Sequence, residues 1–247
     1  MKVKAYKKLW YKIFIICVVK MVLSVFMMII MGEKEINKLF FCVLNGMDVE
    51  QSSNLFYVML YTLPNFIFVY YIVNTFIYEL KENFVYIILR TSKYSYWWFK
   101  TEKNIIVSNI IYEVIIFLFI GFTYIILDSE QINYKKLILM ILIDLSFRIM
   151  ISLFSSVIYY ISSETVEIIS VLVMLLLPPL IVGMLYEMHQ NWKIAIILCF
   201  LQWGNVRYLE VANMNYMVTI IEILFVCVLI NVVMLLYLKN KNIGRKR

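Results

Sequence analysis

Five ionisable residues, Lys20, Glu113, Asp144, Arg148 and Glu222, stand inside long apolar runs of this sequence. They are the residues whose types and spacing could do chemistry. A charge in hydrocarbon is costly, so each must face other protein and find a partner; such groups also build ion pathways and proton relays. Asp144 and Arg148 are four positions apart, which puts them on one helix face within reach of each other. Lys20 and Glu113 each lie about nine or ten residues along their runs, which at ~1.5 Å per residue brings both to a similar depth near mid-membrane. Lys20 is therefore expected to pair with Glu113 or Asp144. Ion pairs that hold helices together are one reading of the group, and a place on a substrate or proton pathway is the other.

Other chemistry is not written into the chain. No Gly-x-x-x-x-Gly-Lys-Ser/Thr loop occurs, so nucleotide hydrolysis is not expected of this polypeptide. The single histidine, His189, cannot form a His-x-x-x-His zinc pair and reads as a solvated loop residue. There is no Gly-x-Ser-x-Gly elbow and no arguable Cys–His pair, so no catalytic residue and no metal ligand is assigned. Cys17, Cys42, Cys199 and Cys227 are widely spaced and read as small apolar side chains, with a Cys42–Cys199 pair as the alternative. What remains is a passage, a scaffold or a sensor.

The elements that position these charges follow from composition. Apolar residues make up 64% of the chain and its mean hydropathy is +0.86, against about half apolar in soluble domains. A bilayer core of roughly 30 Å needs about 20 helical residues. Six runs meet that length, at about 10–31, 55–80, 105–127, 137–162, 166–188 and 216–238. They are continuously apolar and do not alternate, so the expectation is an all-α integral membrane protein of one transmembrane domain and not a barrel. Lys20 interrupts the first run and no small-x-small site follows it, so that run reads as a retained anchor and not a signal peptide.

Fifteen of the 23 basic residues fall at the N-terminus, at the C-terminus and between the second and third runs. Their distribution places both termini and that segment in the cytoplasm, and the net charge of +7 reflects topology, not nucleic-acid binding. Residues 1–12 alternate lysines with Tyr6, Leu9, Trp10 and Tyr11, which suits either a simple positive anchor or a helix lying on anionic lipid. Segment 192–203 (WKIAIILCFLQW) is too short to cross and reads as a re-entrant or interfacial helix, bracketed by Trp192 and Trp203 at the headgroup level. Pro178 and Pro179 are expected to kink the fifth span, for packing or as a hinge.

Segment 81–103 divides in two. Residues 94–103 (YSYWWFKTEK) read as a helix along the headgroups rising into the third span, with Trp97, Trp98 and Lys100 at the interface. Residues 82–90 (ENFVYIILR) form a short apolar helix held off the bilayer by basic flanks, which suits a groove on a soluble partner. Six spans, termini inside, this short helix with Leu89-Arg90-Thr91, and Trp97-Trp98-Phe99-Lys100 leading into span three together resemble the permeases of type-2 exporter-class ATP-binding-cassette transporters. The likeness is to the small bacterial permeases of bacteriocin, lantibiotic and toxic-peptide export or self-immunity. The resemblance implies a multi-pass protein of the bacterial cytoplasmic membrane, a second permease subunit, and a separate P-loop ATPase chain carrying ATP and Mg. It implies that Glu82, Phe84, Tyr86, Ile87, Ile88 and Arg90 form the coupling helix that docks on that ATPase, and that the cargo is a peptide or amphipathic compound. A non-transporting immunity or scaffold protein that binds a toxic peptide is the alternative.

Overall fold

The structure is a computed structural model that describes residues 2–30, 43–44, 46–82, 94–126 and 134–243. Every regular element among them is helical: α1 (Lys2–Ile30), a 3-10 turn (Glu50–Ser53), α2 (Leu55–Glu82), α3 (Tyr94–Ile126), α4 (Tyr134–Ile161), α5 (Glu164–Glu187), α6 (Trp192–Leu198), a 3-10 turn (Phe200–Gln202), α7 (Val206–Val211) and α8 (Tyr216–Ile243). Six of these, α1 to α5 and α8, are long and apolar enough to cross a membrane. Helix is the form that satisfies every backbone N–H and C=O within one segment, which hydrocarbon demands.

The structure refines the sequence reading at three elements. Residues 94–103, expected to rise into the third span, are the first turns of α3, a continuous helix of 33 residues and so about 50 Å long. The N-terminal residues likewise run straight into α1, which starts at Lys2. Segment 192–203 is broken at Cys199, whose extended backbone (ψ 96°) separates α6 from the 3-10 turn Phe200–Gln202. Pro178 and Pro179 lie within α5, which continues through both. Its start is capped by Ser163, which accepts from the Val166 amide, and it carries Glu164 and Glu167 in the first turn, where carboxylates meet the positive helix end.

Side-chain contacts sort the helix termini into two ends. At one end, Lys12 of α1 lies over the Tyr71 ring of α2 at 4.3 Å. There too the Tyr70 hydroxyl of α2 donates to Glu164 of α5 at 2.6 Å, and Trp98 of α3 meets Tyr160 of α4, which meets Tyr237 of α8. The first turns of α1 and the last turns of α8 run towards this end, called here the terminal end. At the other, the cap end, residues 46–54 and 189–215 interlock over the bundle.

α4 is the central helix. It touches α2, α3, α5 and α8, and 61% of its apolar window is buried against 22% for α8. The outer faces of α1, α5 and α8 present Phe14, Val22, Ile169, Leu177, Phe225 and Val228, a surface suited to acyl chains.

The cap depends on one glycine. A Cβ on Gly183 of α5 would stand 2.2 Å from the Ser53 amide nitrogen and 2.3 Å from the Ser52 carbonyl carbon. Both are backbone atoms that cannot rotate away. Gly183→Val is expected to destabilise the protein by about 1–3 kcal/mol through overpacking, read as a lowered melting temperature in detergent, whereas Gly121→Ala, inside a helix with open space around its Cβ, is expected to stabilise it slightly, by up to about 1 kcal/mol.

Candidate functional site

Four of the five intramembrane charges meet at the centre of the bundle. Lys20 of α1, Glu113 of α3, and Asp144 and Arg148 of α4 are each at most 3% exposed. Lys20 Nζ lies 3.4 Å from Asp144 Oδ2. Arg148 Nη2 donates to Glu113 Oε2 at 2.9 Å and also pairs with Asp144 one turn earlier on its own helix. Of the two sequence alternatives for Lys20, the geometry selects Asp144. Two cations and two carboxylates cancel, so the group carries no net charge into hydrocarbon.

Aromatic rings close the cluster. The Arg148 guanidinium sits 4.1 Å from the Tyr112 ring centroid and 5.7 Å from that of Phe68; Lys20 Nζ is 5.6 Å from Tyr112. Phe68 of α2 packs on Tyr112 with centroids 4.1 Å apart. Ring faces attract cations most where water is excluded. Hydrogen bonding is nonetheless incomplete: Arg148 Nε and Nη1, Glu113 Oε1 and Tyr112 Oη are buried without a hydrogen-bond partner. The arrangement can do two things. It can lock α1 to α4 together, and it can exchange partners if one helix moves.

The fifth charge, Glu222 of α8, stands apart from this tetrad. It is half-buried, and its Oε2 is buried without a hydrogen-bond partner.

The interfacial aromatics divide. Trp10 is exposed, and Lys100 lies over the half-buried Trp97 ring at 4.6 Å. Trp98, expected among headgroups, is instead 2% exposed. Its Nε1 donates to Asn231 Oδ1 at 3.0 Å, and Asn231 Nδ2 donates to Glu102 at 2.6 Å. The indole N–H turns inward because α8 supplies an acceptor there, a need any buried Trp has. Trp192 and Trp203 are half-buried, and Trp192 meets the Tyr186 ring at 5.5 Å. Of the docking residues, Phe84, Tyr86, Ile87, Ile88 and Arg90 lie outside the described residues, as does the side chain of Glu82, the last residue of α2.

Comparison with protein-family models, with curated proteins and with solved structures finds no match for this chain.

The cap was not foreseen as a unit. Asn205 is its hinge-pin: its Oδ1 accepts from the Met47 amide at 3.2 Å, its Nδ2 donates to the Met47 carbonyl at 3.1 Å, and Oδ1 also caps α7 at Arg207 and Tyr208. Arg207 pairs with Asp48, and the Ser52 and Tyr208 hydroxyls bond each other. Burial pushes the Tyr208 phenol well above its ordinary ionisation range, the Ser52 hydroxyl opposing and the Asp48 charge adding to the effect. Val49, Val182, Ile196 and Tyr208 form the cap's own apolar cluster. Nothing in the sequence pattern names Met47 as the partner of Asn205.

At the terminal end the first turn of α5 is held from two sides. Tyr70 and Asn74 of α2 donate to Glu164, the latter at 3.0 Å, and Ser155 of α4 donates to the buried Glu167. Among the described residues no group of His, Cys, Asp and Glu could hold a metal. Cys17, Cys199 and Cys227 are free thiols, and Cys42 lies outside the described residues.

Proposed function

We propose that this chain is the membrane-spanning subunit of a transporter that exports a peptide or amphipathic compound, driven by ATP hydrolysis in a separate chain. Both termini and segment 83–93 lie in the cytoplasm of a bacterial cell in this reading, the cap end faces outward, and a second permease subunit completes the pathway. The observation that carries the proposal is the course of α2 and α3. Both helices reach the terminal end on either side of segment 83–93, and both bring side chains to the charge tetrad: Phe68 from α2, Tyr112 and Glu113 from α3. With 33 residues, α3 exceeds a ~30 Å hydrocarbon core by about 20 Å. A force applied to segment 83–93 is thereby delivered through two stiff rods to the centre of the bundle. That is the layout a permease needs when its partner does the hydrolysis.

The test is co-purification with a P-loop ATPase encoded beside this chain. Ile87→Asp and Arg90→Glu are each expected to reduce recovery of the complex, and its coupled ATPase activity, at least tenfold. Wild-type recovery from both variants overturns the docking assignment.

The small size of the chamber beneath the cap favours the second reading, a non-transporting immunity or scaffold protein that binds a toxic peptide. The chamber beneath the cap, lined by Thr62, Asn65 and Gln202 among others, has a volume of only ≈ 40 Å³. Peptide resistance that persists beside a hydrolysis-dead ATPase would support that reading.

A further inference from the structure

Two cavities lie between the tetrad and the cap, and they share a wall. The first runs along α1 and α2, lined by Lys20, Ser24, Met27, Leu60, Tyr61 and Pro64, with a volume of ≈ 10 Å³. The second is the chamber under the cap, where Tyr61, Thr62 and Asn65 of α2 face Gln202 and Asn205 of the cap and Phe147 of α4. Tyr61 borders both. One ordered water needs roughly 10–15 Å³ and two to four polar partners. The inner cavity therefore fits about one water and the chamber about three, each beside polar side chains.

The tetrad supplies the second half of the argument. Arg148 Nε and Nη1 are donors, and Glu113 Oε1 is an acceptor, all buried and without a hydrogen-bond partner. Leaving such groups unsatisfied is costly, most of all when they are charged. Water is the partner able both to donate and to accept. Towards the terminal end, by contrast, Ile13, Ile72, Val73 and Ile105 are fully buried and apolar.

We propose that water and hydronium reach Lys20, the member of the tetrad that lines the inner cavity, from the cap end through these two adjoining cavities, and reach its ion-pair partners through it, making the tetrad a hydrated, proton-accessible site and not a sealed structural cluster. Tyr61 is the constriction between chamber and inner cavity. The proposal does not depend on an ATPase partner, and it holds for a transporter and an immunity protein alike.

Silver ion, a cation close to water in size, is a suitable probe. Ser24→Cys is placed in the full chain and Ag⁺ is applied to sealed vesicles of either orientation. After quenching and denaturation, thiols still free are alkylated and read by peptide-resolved mass spectrometry, which separates them from Cys17, Cys42, Cys199 and Cys227. Silver applied to the cap side is expected to protect Ser24→Cys at least tenfold faster than Ile72→Cys, and at least tenfold faster than silver applied to the terminal side. Tyr61→Ala is expected to raise the Ser24→Cys rate at least fivefold. If Ser24→Cys is not recovered as a monodisperse protein, Thr62→Cys reads the chamber by the same criterion. A thiol that remains fully alkylatable after cap-side silver, or one protected equally from both sides, overturns the proposal.

Discussion

Arg148→Met is expected to cost the fold about 3–5 kcal/mol, the penalty for removing one partner of a buried charge network. The guanidinium bridges Glu113 and Asp144. Without it Asp144 keeps Lys20, but Glu113 keeps no cation within ion-pair distance among the described residues. The protein would lose most of its heat resistance in detergent, read as the fraction surviving as a monodisperse peak after a temperature ramp. A fourfold variant, Lys20→Met, Glu113→Leu, Asp144→Leu and Arg148→Met, is expected to recover most of that loss. Apolar replacement of a whole ion cluster removes the desolvation cost together with the attraction. An Arg148→Met loss under about 1 kcal/mol, the range of an exposed pair, would mean that the guanidinium does not hold the cluster together. The fourfold variant also separates the two roles of the tetrad. If it folds and remains functional, the charges are structural; if it folds and is inactive, they serve the pathway.

The second large effect falls on the cap. Asn205→Leu removes the two hydrogen bonds to Met47 and the cap of α7 together. Met47 is 1% exposed, so its amide and carbonyl would be left dry and unpaired at about 1–3 kcal/mol each, with about 1 kcal/mol more for the lost helix cap. Even the lower end of that loss, about 3 kcal/mol, corresponds to about a hundredfold rise in opening. Amides of residues 46–54 should then exchange with deuterium roughly a hundredfold faster while those of α4 do not change. Arg207→Gln is the control. Its pair with Asp48 is partly exposed, so it should shift exchange by at most about 1 kcal/mol. Equal effects from Asn205→Leu and Arg207→Gln would mean that the ion pair, not the amide clamp, holds the cap.

Much of this architecture was legible in the chain because lipid imposes length and polarity on each span independently. The runs near 55–80, 137–162 and 166–188 match α2, α4 and α5 closely. The tetrad was legible for the same reason, since a charge inside an apolar run must meet another. Asp144 and Arg148 were paired by their spacing of one helical turn alone. The pattern says less where length ceases to constrain. Residues 94–103 looked like a surface helix because they are aromatic and basic. No breaker separates them from the apolar run that follows, so the helix simply continues. Trp98 could not be read as buried, because its acceptor, Asn231, lies far away in sequence and reaches it only through the packing of α8. Tyr112 and Phe68 are ordinary aromatics in an aromatic-rich chain until Arg148 is found over their rings.

The sequence by itself determined that the chain is helical, that six of its helices suit a bilayer, and that Lys20, Glu113, Asp144 and Arg148 need partners within it. Those properties come from composition and from spacing within one helix, which short-range physics reads without knowledge of neighbours. Only the tertiary structure decided that Asp144 takes Lys20 while Arg148 reaches Glu113, that Asn205 fastens Met47, and that Tyr61 stands between two polar cavities. Each of those depends on how helices rotate about their axes and cross one another. That is set by the interlocking of side chains from distant segments, as where Gly183 lets the turn at Ser52 and Ser53 lie directly on α5.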